Sequence, residues 1–103
     1  MADKLEALLA DGTDSAQLRF GLATSYVGDG QPERALQHVK FAVDMDPDYS
    51  AAWRLLGQVY SDLGQVDESK QAFERGIEIA ERRGDQQLVK EMSVFLRRLS
   101  KAP

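Results

Sequence analysis

The chain has 103 residues, with a hydrophobic share of 43% and a charged share of 29%, which fits one domain with enough apolar material for a core and excludes a disordered chain. Thirteen basic and seventeen acidic residues leave a net charge of −4, so the overall field disfavours DNA and anionic membranes as partners. With no cysteine and a single histidine, disulfides, thiol catalysis and cysteine metal sites are excluded, and neither a metal nor another cofactor is expected.

The opening MADKLEALLADG is acidic and lacks a long apolar run. It is no signal peptide, no segment approaches transmembrane length, and a cytoplasmic location is expected. Three prolines (Pro32, Pro47, Pro103) and the glycines Gly12, Gly30, Gly64 and Gly84 punctuate the chain. Between them the apolar residues follow helical spacing, and no stretch alternates like a strand. A first helix over roughly 3–10 puts Leu5, Leu8 and Leu9 on one face, to cover one end of a core. Thr13-Asp14-Ser15 then offers capping oxygens, and with Asp14 as the cap Gln17 reaches back to close a capping box. The second helix runs to about Asp29, and Gly30 supplies a left-handed stop. The third opens with Pro32 in its first turn, where the missing N–H costs nothing, and with Glu33 at the positive end of the dipole. It closes before Pro47, and Asp48 or Ser50 caps the fourth helix, which ends at Gly64. A fifth helix spans about Val66 to Arg83, with Asp67 and Glu68 early and Arg82 and Arg83 late. After Gly84-Asp85 a sixth carries on to about Leu99, with Leu88, Met92, Phe95, Leu96 and Leu99 as one broad apolar stripe.

The fourth helix organises the rest. Trp53, Leu56, Gly57 and Tyr60 fall at i, i+3, i+4 and i+7, a single helical face, and the glycine admits a partner helix at close range. Laying the chain on itself so that Leu22 falls on Leu56 also places Ala23 on Gly57, Tyr26 on Tyr60 and Gly30 on Gly64. Further along, Ala35 meets Ser69, Val39 meets Phe73, Ala42 meets Gly76 and Val43 meets Ile77. In length and pattern this period resembles the tetratricopeptide repeat. The resemblance covers residues 16–49 and 50–83, with Arg19 in the place of the signature tryptophan, Val39 in that of an aromatic, and Glu81 where the first repeat has Pro47. Continued from Gly84 the frame fails, because Lys90, Glu91 and Val94 occupy the leucine, glycine and tyrosine places. The stretch 85–100 therefore reads as a capping helix within one domain, 1–103.

The resemblance implies an all-α fold: helical hairpins stacked as a short right-handed superhelix with N- and C-terminal capping helices. It implies non-catalytic recognition of another protein or peptide in a concave groove, in an adaptor, scaffold, assembly or chaperone-like role. The matching groove positions are Gln17, Phe20, Thr24 and Val27, then Arg54, Leu55, Gln58 and Ser61. Co-chaperones of the family clamp an acidic C-terminal carboxylate with cationic groove residues. Here the corresponding places hold Phe20, Thr24, Leu55, Asp85 and Val89, so that mode is not expected. The aromatics Trp53, Tyr60, Tyr26 and Phe73 fit hairpin packing better than a ligand box. His38, one step off the inward row, reads as a solvated surface residue. Asp44, Asp46 and Asp48 lack the glycine and terminal glutamate of a calcium loop, and no serine has a histidine in triad order, so no catalytic set is present. A basic strip of Lys90, Arg97, Arg98 and Lys101 lies opposite the apolar stripe of the sixth helix. Two alternative readings stay open: a homodimer, weak beside the monomer, built through that helix, and RNA binding through its basic strip.

Overall fold

The helix boundaries follow the glycine and proline punctuation. The computed structural model describes residues 2–101, with the helices α1 (Ala2–Ala10), α2 (Ala16–Gly28), α3 (Pro32–Met45), α4 (Ser50–Asp62), α5 (Val66–Arg83) and α6 (Gln86–Lys101). There is no strand among the described residues, and Pro103 lies outside them. Gly30 and Gly64 take φ of +70° and +75°. That conformation lets Gln31 N–H reach the Tyr26 carbonyl at 2.9 Å and Gln65 N–H reach the Tyr60 carbonyl at 2.8 Å. A side chain at either glycine would strain the turn.

The structure chooses among the capping candidates at one helix start and departs from them at another. Of the three candidates, Ser15 caps α2, its side chain accepting from Leu18 N–H at 3.0 Å. Asp14 is taken instead by a two-pronged bond from Arg19, 2.9 and 3.0 Å long, and no capping box with Gln17 forms. The N-cap of α4 is Tyr49, without a side-chain bond, so neither Asp48 nor Ser50 has the expected role. Asp46 accepts from Asp48 N–H at 3.2 Å, which folds the Pro47 turn on itself. At α6 Asp85 does cap, accepting from Leu88 N–H at 3.2 Å.

Consecutive helices pack on one another: α2 with α3 and α4 with α5 make two hairpins, and α3–α4 and α5–α6 contacts join the rest. Leu22, Val39, Leu56 and Val59 are central to a core running through both hairpins. Phe73, Ala80 and Met92 anchor a second cluster, which carries the α6 stripe of Leu88, Phe95, Leu96 and Leu99. The α4–α5 approach is close. A Cβ added to Gly57 would lie 2.7 Å from the Phe73 ring, and the Ser69 hydroxyl donates to the Gly57 carbonyl at 2.6 Å.

Helix α1 occupies the place of a second hairpin helix, since the shift that lays Leu22 on Leu56 also lays Leu5 on Val39 and Leu9 on Val43. Leu5 and Leu9 pack on the core, but Leu8 is 45% exposed. The expected three-leucine cover is thus a two-leucine one, with Ala2 joining Leu5 and Leu9 on the core. Trp53, expected in the core, is half-buried, and its indole Nε1 donates to the Pro47 carbonyl at 2.8 Å.

The Gly57 contact gives a direct test. Gly57→Ala should lower stability by about 1–2 kcal/mol in urea unfolding, because the clash with an immobile buried ring exceeds the roughly 1 kcal/mol gained in helix propensity. Gly21→Ala, whose Cβ would sit 3.4 Å from Leu5, should instead gain about 0.5–1 kcal/mol. Equal effects at the two sites would rule out close packing at Gly57.

Candidate functional site

The groove residues divide by environment. Gln17, Thr24 and Ser61 are exposed, while Phe20, Val27, Arg54 and Gln58 are half-buried. Leu55 is a correction: it is 6% exposed and belongs to the central core. Its side chain is taken up by that core, so it is not available to a ligand. Phe20 leans on Tyr49, ring centroids 5.0 Å apart, and burial, helped by Asp46, pushes the Tyr49 phenol up. Thr24 Oγ1 donates to the Phe20 carbonyl at 2.9 Å. Arg54 reaches toward α6, its Nε 3.7 Å from Glu91 Oε2 and without a hydrogen bond.

Phe20 and Thr24 come together at a cavity of about 660 Å³, which Leu5, Gly21 and Ser25 also line. Its cause is local. Gly21 holds in the first hairpin the position that Leu55 holds in the second, so the first lacks the isobutyl group that fills this place in its counterpart. That signal was legible in the sequence, since the shift pairing Leu22 with Leu56 also pairs Gly21 with Leu55. The strip residues Lys90, Arg97, Arg98 and Lys101 are all exposed, with the Arg98 guanidinium 5.9 Å from the Phe95 ring centre.

On the other side of α2 from this cavity lies a polar network that helical spacing does not reveal. His38 is 9% exposed, not solvated. Its ring lies nearly parallel to Tyr26, 5.7 Å away, and its Nδ1 is 3.1 Å from Arg19 Nη1. Arginine only donates, so Nδ1 accepts and the ring proton sits on Nε2. Nε2 faces Glu6 Oε1 at 3.7 Å, too far for a hydrogen bond, and that oxygen stays unsatisfied. Tyr26 Oη donates to Glu6 Oε2 at 3.3 Å. The Arg19 bond holds Asp14 below the usual carboxylate range. Burial holds His38 below its ordinary value of 6.5, with Glu6 opposing and Arg19 adding to the shift. Among the described residues no group of three or more His, Cys, Asp or Glu is placed to hold a metal ion, and no helix is long and apolar enough to cross a membrane.

The sequence model of the tetratricopeptide repeat matches residues 26–90. The chain belongs to the tetratricopeptide-repeat family. A TPR repeat-containing protein of Pseudomonas aeruginosa is 46% identical over 102 residues, spanning 99% of this chain and 97% of its own length. The solution structure of BPP2914 from Bordetella parapertussis is also 46% identical, with a TM-score of 0.85 over 98% of this chain and 88% of that one. The crystal structure of PcrH in complex with the chaperone binding region of PopD has a TM-score of 0.87 over 96% of this chain and 75% of that one. At 20% identity it speaks to the fold alone. The tetratricopeptide-repeat fold thus accounts for the helical hairpins and for α1 as half of one.

The position of His38 sets a pH dependence. Its folded pKa lies below the unfolded one, so the unfolded chain takes up the proton first. Its contribution is complete above about pH 6.5 and is lost as pH falls from there toward the folded value. Melting followed by circular dichroism should show the midpoint dropping between about pH 7.5 and about pH 5.5 in the native chain, and less in His38→Gln. An equal drop in both would assign the effect to other groups.

Proposed function

We propose that this chain is a non-catalytic protein-interaction module. It takes a peptide or protein segment along the face carrying Gln17, Phe20, Thr24, Val27, Arg54, Gln58 and Ser61, in an adaptor, assembly or chaperone-like role. The observation that carries the reading is the cavity left by Gly21, with the half-buried Phe20 at its side and Leu5 within it. An apolar side chain of a bound segment fits such a place, and Thr24, Arg54 and Gln58 supply polar contacts that orient its backbone. PcrH, which shares the fold, has been solved with a protein segment bound, a precedent for this kind of ligand on this architecture.

The readings based on α6 have less support. Its apolar stripe is already used within the chain, with Met92 fully buried and Phe95 stacked on Phe73 at 5.4 Å. A second copy is not needed to cover it. The exposed basic strip fits the solvated face of a helix C-terminus, where cations complement the dipole.

Gly21→Leu tests the groove most cleanly, because it restores the residue the second hairpin uses and leaves the Phe20–Tyr49 contact alone. Native chain and variant would be used as baits in a lysate of the source organism, and captured proteins quantified by mass spectrometry. The variant should melt at or above the native temperature and lose about tenfold or more of its specific capture, roughly 1.4 kcal/mol. Undiminished capture by a folded Gly21→Leu would end the groove reading.

A further inference from the structure

The two hairpins match position by position under the repeat, and at one place their chemistry is inverted. In the first, Tyr26 is surrounded by nitrogen-bearing side chains. The His38 ring lies against it, the Arg34 guanidinium stands 5.6 Å from its centre, and Arg19 bonds to His38. In the second, Tyr60 takes the place of Tyr26, and those three positions hold Ala72, Glu68 and Trp53. Losing the imidazole leaves a cavity of about 340 Å³, walled by Trp53, Leu56, Tyr60 and Ala72 and rimmed by Glu68, Gln71 and Arg75. The indole of Trp53 is pinned by its bond to the Pro47 carbonyl, so the aromatic wall is preformed. Arg75 is engaged by Glu78 at 2.9 Å, whereas Glu68 makes no ion pair or side-chain hydrogen bond among the described residues.

We propose that this pocket of the second hairpin binds the guanidinium of an arginine side chain carried by a partner protein. The first hairpin shows which groups lie against the tyrosine at this position: a flat imidazole and a guanidinium. A guanidinium stacks on Tyr60 and Trp53 and takes Glu68 as its counter-charge, a match of aromatic wall and lone carboxylate that favours a planar cation. The site is separate from the groove. Successive helical residues are turned by about 100°, so Trp53 and Tyr60 face away from the side of α4 that bears Arg54 and Gln58. It therefore stands or falls apart from the groove reading.

The full chain, labelled with nitrogen-15, would be titrated with N-acetyl-L-arginine amide and, separately, with the uncharged N-acetyl-L-citrulline amide, each to about 50 mM. The reporters are the indole N–H of Trp53, the only tryptophan, and the amides of Glu68, Gln71 and Ala72. Saturable shifts should appear at these groups with arginine, and citrulline should bind about threefold or more weaker. Glu68→Gln should weaken arginine by a similar factor. Ala72→His, which rebuilds the first hairpin's arrangement, should abolish the shifts while the helical spectrum is kept. The proposal is overturned if no saturable shift occurs, if citrulline binds as well as arginine, or if Glu68→Gln leaves arginine binding unchanged. The Glu68→Gln result decides even where Ala72→His fails to fold.

Discussion

The closeness of α4 to α5 at Gly57 governs the second half of the molecule. With no side chain at Gly57, the Phe73 ring lies directly against the α4 backbone, and Ser69 ties the Gly57 carbonyl to α5 from the other helix. That spacing puts Trp53 against Gly76, where an added Cβ would be 3.0 Å from the Trp53 Cβ and 2.5 Å from Met92 Sδ. The second small residue in turn lets α6 settle on α5 through Met92. Two glycines thus set the positions of three helices. The buried Ser69 is tolerated because its hydroxyl is satisfied at short range, where an unpaired one would be costly.

The two hairpins share a backbone plan and hold it by different means. The second relies on apolar and aromatic surface. The first replaces the signature tryptophan by Arg19, which pairs with Asp14, bonds to His38 and lies 4.2 Å over the Phe41 ring. Glu6 extends that network into α1, a helix with no fully buried residue of its own. Polar contacts therefore carry part of the attachment of α1, alongside Leu5 and Leu9. Phe41, under the Arg19 guanidinium, and Met45 stay 48% and 45% exposed on α3.

Most of the architecture was legible in the sequence because it rests on local signals. Glycine stops, Pro32 at a first turn and the internal period identify the helices and their pairing without any distant contact. The misplaced residues are those whose environment is decided by a third element. Leu55 lies about 60° from Gln58 on a helical wheel and looks available, yet it is buried in the core shared by the two hairpins. His38 is one step off the inward row, yet Tyr26 and Glu6 enclose it from two other helices. Trp53 carries the family signature, but Ala72 is too small to close over its outer edge. The Asp14 cap was lost to competition, since a bidentate arginine is a stronger claimant on a carboxylate than a single backbone N–H.

Each helix packs chiefly against the one before it and the one after it, with only slight α2–α4 and α4–α6 contact. For the search from unfolded chain to native state this means low contact order. Loops of a few residues close before any distant segments have to meet, which favours rapid folding. Either hairpin can serve as nucleus, with order spreading outward one helix at a time. The ends are then the last segments to become ordered and the first to open, so native-state hydrogen exchange is expected to run in a gradient from the α4–α5 contact toward α1.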